Sequence, residues 1–411
     1  VARRTLSPGT IGMLLAAWTA PAPAQTPAWV RVGGQAAAAF TAADPVPGRR
    51  QLAELRVVQP VMALEAGAGG RFRLLATLNL EGITIPQGEL TPGAWGEGFV
   101  DRRHPHTYVH ELLLTADDLL GRHDGAAALS LTAGKGFAPF GTDDPMMRSP
   151  LRYPVNHHLA QILERAVLIA AVRHGRVSAE AGLFNGDEPE RPGQWPRIGG
   201  RFGDSWSARL TLSPVAGAEV QGSFARVHSP EHRAGAGPDQ AKWSLSARWD
   251  APPGRAPITG LLEWARTSEA GGFFVFQSLL AEGAWSPGRH RLHYRFERTE
   301  RPEEERLSDF RSRRPHLENA ILGTTRWTIH TLGYDLGLPV PRGLAVRPLV
   351  EVSAGAVAKV GGGLFEIDQL YGRTDFWSLT LGVRVSAGTP MPRMGRYGSA
   401  RGEGATGHPA H

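Results

Sequence analysis

The side chains in this 411-residue chain with the clearest chemistry available to them are basic and recur on one parity of alternating stretches. Arg73, Arg209, Lys242, Arg248, Arg291, Arg295, Arg326, Arg347 and Arg384 each share their parity with polar residues, opposite an apolar parity. A guanidinium presents planar N–H donors that replace part of an anion's hydration, so rings of such groups around a water-filled path favour anions. Glu81, Glu219, Glu263, Glu297 and Glu351 lie on the same parity. They dilute the positive field, so a mild anion preference is expected and not phosphate specificity. The competing reading is a solvated face whose charges pair with one another.

A second cluster lies in the irregular stretch 136–163, which carries Asp143, Asp144, Arg148, Arg152, His157 and His158. Folded into a wide barrel, such a segment would form a constriction loop. An external loop with no part in conduction is the alternative. Asn156 is placed to cap a short helix running through Arg165.

His104, His106 and His110 share parity in HPHTYVH, with Glu111 beside them. Imidazoles at that spacing can bind zinc or copper. Pro105 and the loop setting argue against a fixed geometry, so no metal is assigned. Catalytic signals are lacking. No Gly-x-Ser-x-Gly elbow occurs, and the glycines of 67–70 are not followed by the Lys-Ser/Thr of a phosphate cradle. The acid runs at Asp117–Asp118, Asp143–Asp144 and Glu303–Glu305 read as solvated turns and loops. No catalytic residue and no cofactor are assigned.

The elements that must position these groups read as strands. In AKWSLSARWD, Trp243, Leu245, Ala247 and Trp249 alternate with Lys242, Ser244, Ser246, Arg248 and Asp250. Successive strand residues face opposite sides, so one face is oily and the other wet. Pro252, Pro253 and Gly254 supply a turn, and Ile258, Gly260, Leu262 and Trp264 resume the alternation. Strands of about ten residues tilted by about 45° are what a bilayer asks of a spanning strand. This hairpin alone would equally suit a soluble sandwich.

Strands are expected at 28–41, 51–64, 70–81, 107–115, 126–135, 164–173, 177–184, 204–212, 218–227, 241–250, 258–268, 272–284, 290–299, 324–336, 344–353 and 374–385. From residue 164 onward the connections mostly run short, long, short, long; the brief link near 269–271 is the exception. Short turns at one end and long loops at the other mark a bacterial outer-membrane barrel, with both termini on the periplasmic side. The expected fold is an all-β, transmembrane, antiparallel up-and-down barrel of about sixteen strands spanning 25–386. Trp206, Trp243, Trp249, Trp264, Trp285, Trp327 and Trp377 fall near strand ends, as aromatic girdles do.

Composition agrees. Hydrophobic residues make up 41%, glycines number 51, and cysteine is absent, which excludes disulfides and thiolate chemistry. A formal net charge of +6, with no basic stripe interleaved by aromatics, does not point to nucleic acid. Arg3 and Arg4, an apolar core at 11–18 and Ala22-Pro23-Ala24 read as a signal peptide over 1–24. The Gly/Pro-rich tail 387–411 reads as disordered.

AGKGFAPFG (133–141), ILERAV (162–167) and GLFNG (182–186) resemble the phosphate-selective porin O and P family of Gram-negative outer membranes. The resemblance is fairly specific over about fifty residues, 133–187, and diffuse elsewhere. It implies a sixteen-stranded, trimeric, passive diffusion channel. The family's phosphate-binding arginine ladder does not map residue by residue, and the last strand does not end on a C-terminal Phe. The sequence therefore reads as a porin-like outer-membrane channel for passive diffusion of small hydrophilic solutes, anionic ones among them, with outer-membrane lipid and a homotrimer as partners. Two alternatives stay open: a non-conducting barrel serving as adhesin or anchor, and a barrel enzyme acting on lipids.

Overall fold

The computed structural model of the chain describes residues 28–44, 52–85, 106–122, 125–189, 191–229, 237–252, 256–302, 323–371 and 373–401. The expected signal peptide, His104 and the acid run at 303–305 lie outside these residues. Sixteen antiparallel strands form a closed barrel, each paired with its neighbours in sequence. They are β1 (Trp29–Asp44), β2 (Leu52–Ala68), β3 (Phe72–Asn79), β4 (Val109–Gly121), β5 (Ala127–Gly136), β6 (Arg165–His174), β7 (Val177–Phe184) and β8 (Ser205–Leu212). The second half comprises β9 (Ala218–Val227), β10 (Gln240–Asp250), β11 (Ile258–Glu269), β12 (Phe274–Trp285), β13 (His290–Pro302), β14 (Thr324–Leu336), β15 (Leu344–Gly361) and β16 (Asp375–Gly388). β1 closes the barrel on β16, from Gly33 opposite Gly388 to Asp44 opposite Trp377. Closure leaves no edge with unpaired backbone groups, the condition for a sheet to stand in lipid.

Alternation sets which face is which. In β8, Ser205, Ser207, Arg209 and Thr211 are buried inside, while Trp206, Leu210 and Leu212 are exposed on the outer wall. The outer wall continues through Leu74, Leu114, Leu245, Leu262, Leu279, Leu332 and Leu381, all exposed. This is an apolar band suited to acyl chains. One end of the barrel carries tight turns such as Gly175–Arg176, and both the start of β1 and the end of β16 lie there. The opposite end carries the longer loops, except at Ala270–Gly272 between β11 and β12.

Two of the register irregularities shape the lumen. β2 carries a bulge at Gln59–Pro60, where pairing with β1 shifts and Gln59 adopts a φ of 51°. Pro60 sits where a missing N–H costs no ladder bond. A second shift between Thr77 and Leu78 opposes them to Glu111 and Val109, so both His110 and Glu111 turn inward and are fully buried.

Three expectations are corrected here. The third strand ends at Asn79, and Glu81 instead starts a short helix, α1 (Glu81–Thr84). Trp327 does not belong to a girdle. It faces inward, fully buried, and packs with Phe376 and Val155, because the lumen beside it is filled and offers it an apolar niche. Residues 389–401 of the tail are not disordered: they turn back into the lumen, with Met391, Met394, Arg396, Tyr397, Ser399 and Ala400 buried there. Their few apolar and basic side chains find partners in the barrel wall, which composition cannot foresee.

Candidate functional site

The lumen is crossed by residues 137–164, between β5 and β6. The sequence builds this re-entry locally. Gly141 has a φ of 65°, and an added Cβ would overlap the Ala160 carbonyl oxygen, so only glycine lets the loop fold back on itself. Gly182 on β7 lies against Pro139, where a Cβ would strike the ring. Asn185 Oδ1 accepts from Ala166 N at 2.7 Å. Glu164 ends the loop in the left-handed region, φ 55°. Its carboxylate accepts from Thr107 N at 2.8 Å and meets His110 Nδ1 at 2.7 Å.

Wall residues from around the barrel hold the loop. Gln35 donates to the Met146 carbonyl at 3.0 Å, and Gln59 to the Leu151 carbonyl at 2.8 Å. Glu297 accepts from Val155 N at 2.6 Å and from Arg152. Glu351 accepts from Leu151 N. Glu263 accepts from Asn156 at 2.8 Å and from Thr142. Arg148 pairs with Glu282 at 3.2 Å. The wall carboxylates thus serve largely to anchor the loop. Asn156 precedes α2 (His157–Ala160) without capping it by a side-chain hydrogen bond, and Arg165 already begins β6, both corrections to the sequence reading; the Asn156 amide nitrogen donates to Glu263 and Ser278.

Asp143 is the hub. Arg248 grips it with bonds of 2.6 and 2.7 Å, and Arg393 reaches it at 3.2 Å. Burial alone would push this carboxyl up, but Arg248, Arg393 and Arg148 hold it well below the usual carboxylate range. At the loop's root, burial likewise opposes ionisation of Glu164. The hydrogen bond and charge of His110, with Lys135 and His106, bring it down to about 2. Asp144 Oδ2 lies 3.9 Å from Nε2 of both His110 and His157. His106 meets Glu81 at 2.8 Å, and its ring stands 4.9 Å from that of His110. Among the described residues no three histidine or carboxylate groups are arranged to hold a metal ion.

The C-terminal segment 389–401 enters from the turn end, where Thr389 N donates to Val32 O at 2.9 Å. Arg393 bonds Glu219 at 3.1 Å, and Arg396 donates to Gln221 at 2.7 Å and Thr211 at 2.9 Å. Tyr397 Oη donates to Glu111 at 2.6 Å and accepts from Phe137 N at 3.0 Å. Ser399 and Ser130 share a 3.0 Å bond, and Arg401 pairs with Glu65. Met391, Met394 and Tyr397 join Phe137, Phe140, Met146 and Leu163 in one apolar cluster inside the barrel. A cleft remains between the loop and β10–β12, lined by Met147, Arg148, Arg248, Asp250 and Glu282.

Of the basic residues assigned to the lumen, Arg73, Arg209, Lys242, Arg248, Arg291, Arg295, Arg347 and Arg384 stand on inward-facing positions. Arg326 does not, and is corrected. On β14 the inward parity belongs to Thr325, Trp327, Ile329 and Thr331, so Arg326 faces outward and pairs with Glu300 at 2.5 Å. Carboxylates neutralise most of the rest: Arg209 with Glu180 at 2.6 Å, Arg295 with Glu282 at 2.7 Å, Arg291 with Asp335 at 2.6 Å and Arg73 with Asp117 at 2.5 Å. Arg384 is different. Its NH1 donates to the Arg148 carbonyl at 3.5 Å, and its buried Nε and NH2 have no hydrogen-bond partner among the described residues.

Asp143, Asp144, Arg148, Arg152 and His157 are buried together in the loop; the His158 side chain lies outside the described residues. Sequence reasoning passes over Glu180, Glu282 and Asp335, although they share the lumen parity. It had no signal for Arg393, Arg396 and Tyr397.

No family model matches the chain, and no curated protein matches it. Solved structures do. An anion-selective porin from Comamonas acidovorans aligns over 88% of this chain and 100% of its own, with a TM-score of 0.51 at 10% identity. The fold is that of an outer-membrane porin. OmpF of Salmonella typhi, in complex with daunomycin, aligns over 87% of this chain and 97% of its own at a TM-score of 0.49 and 9% identity. A trimer form of OmpT, an outer membrane protein of Vibrio cholerae, aligns over 88% and 100% at 0.49 and 10%. The porin-like barrel of this chain is established by its own strand count, closure and two-faced walls.

Proposed function

We propose that the protein is a passive outer-membrane channel for small hydrophilic solutes, narrowed by residues 137–164. The observation that carries the reading is the polarity of the wall: apolar residues face out, while charged and hydroxyl residues face in around an inward-folded loop. That interior is built to be wetted, and weak, exchangeable contacts are what conduction needs. The cleft at β10–β12 is where a solute would meet lumen donors, and Arg384 adds positive charge from the wall. The mild anion preference rests chiefly on Arg384, because carboxylates answer most other guanidiniums. The phosphate-selective porin reading rests on 133–187, whose glycines and asparagine root the inward loop. Export through a signal peptide over 1–24 and trimeric assembly belong to the same proposal.

A specific observation favours a second reading, a non-conducting barrel that anchors or adheres. The loop and the C-terminal segment meet at Asp143, and together they touch strands all round the wall. Detergent-extracted protein in a planar bilayer decides between the two. Discrete conductance steps with an anion-biased reversal potential support the channel. Folded protein that inserts without steps refutes it and brings forward the anchor reading. Lipid hydrolysis by the purified barrel would be the finding that favours an enzyme.

A further inference from the structure

The segment 389–401 has no part in closing the sheet, since β16 ends at Gly388 and its pairing with β1 is complete. Yet it runs through the lumen. It leaves the β16–β1 wall at Thr389 and reaches Glu219 on the β9 side with Arg393. In a ring of sixteen strands, β9 lies across the barrel from β16 and β1. The chain then turns back along β8, β5 and β4 and returns to the turn end, where Arg401 meets Glu65 on β2. It therefore lies beneath the loop across the β2–β9 half of the lumen.

Its charge is one-sided. Arg393, Arg396 and Arg401 are its only ionisable groups besides Tyr397, and it carries no acid. Its side chains cover lumen groups that would otherwise face water, Glu219, Gln221, Glu111 and Glu65 among them. Withdrawing the segment would thus do two things. It would clear half the bore, and it would leave Glu65, Glu111, Glu180 and Glu219 without their present partners in the segment. Wall acids already neutralise most of the arginines that the strands contribute to the lumen, so this segment's arginines weigh heavily in the balance that remains.

We infer that the C-terminal segment is a second constriction element, which narrows the lumen beneath the loop and sets its ionic preference through Arg393, Arg396 and Arg401. The inference rests on the channel reading and deepens it. Three proteins test it in planar bilayers across a KCl gradient: the full chain, a chain ending at Gly388, and the full-length triple variant R393Q/R396Q/R401Q. Heat-dependent gel mobility checks that each is folded. The truncated barrel is expected to conduct in larger steps, with its reversal potential shifted toward K+. The triple variant keeps the segment's bulk, so the expected result is a reversal potential shifted toward K+ with little change in step size. It also covers the case in which the truncated chain does not fold. Steps and reversal potentials identical to those of the full chain overturn the inference and leave the channel standing. Steps from the truncated barrel alone support it in its strongest form, a closed lumen. Folded barrels that give no steps in any of the three overturn both the channel and the inference.

Discussion

Asp143→Asn is the perturbation that reports most directly on how the inward loop is held. Asp143 is fully buried and accepts from Arg248 at 2.6 and 2.7 Å and from Arg393 at 3.2 Å. Removing one member of a buried ion pair costs about 3–5 kcal/mol, because the partner charge is left uncompensated. Here every partner keeps another acid: Arg248 keeps Asp250 at 2.6 Å, Arg393 keeps Glu219 at 3.1 Å, and Arg148 keeps Glu282 at 3.2 Å. That places the cost at the low end, about 3 kcal/mol. Asp143 lies outside the strand ladder, so the cost falls on local opening of the loop and not on the barrel. About 3 kcal/mol raises the open population roughly a hundredfold. Trypsin reads this out, since Arg148 and Arg152 are buried in the closed loop and cleavage tracks the open population when reclosing is fast. The expected outcome is cleavage within 137–164 roughly a hundredfold faster than in the wild type, with heat-dependent gel mobility of the uncut barrel unchanged. Cleavage at the wild-type rate would refute the assignment of Asp143 as the hub.

Other expectations rest on the same geometry. Gly141→Ala forces a side chain into a left-handed backbone position against the Ala160 carbonyl; strain of about 1–3 kcal/mol should unseat the loop, seen as new proteolysis at residues 137–164 in a barrel of normal mobility. Glu164 has its carboxyl lowered from 4.5 to about 2, so its stabilisation is fully present above about pH 4.5 and lost as pH falls toward 2. Loop protection should therefore hold at pH 6 and decline between pH 4.5 and 2, and a Glu164→Gln barrel should lack that step; an identical pH profile in the two proteins would remove Glu164 from the account. Arg384→Gln removes a lumen guanidinium that makes no ion pair among the described residues, so the reversal potential should move toward K+ while step size and mobility stay near wild type. An unchanged reversal potential would take the anion preference away from Arg384.

Sequence by itself determined the barrel. Period-two alternation names a face for each residue, and trimmed turns at one end against long loops at the other name the architecture, because both are local and repeat along the chain. It also placed most of the lumen arginines, since parity within a strand is a local count. Parity misled at Arg326 because two oily residues of β14, Trp327 and Ile329, face inward and pack with Val155 and Phe376, while Leu332 of the same strand faces out. Only the tertiary structure decided what fills the lumen. Gln35, Gln59, Glu263, Glu297 and Glu351 meet the loop from strands far apart in the chain, and nothing in their local pattern marks that meeting. The tail was the largest surprise, for its Gly/Pro composition reads as unstructured. Its order comes from Glu65, Glu111, Glu219 and Phe137, partners that closure of the barrel brings into one space and that no local stretch of sequence places beside it.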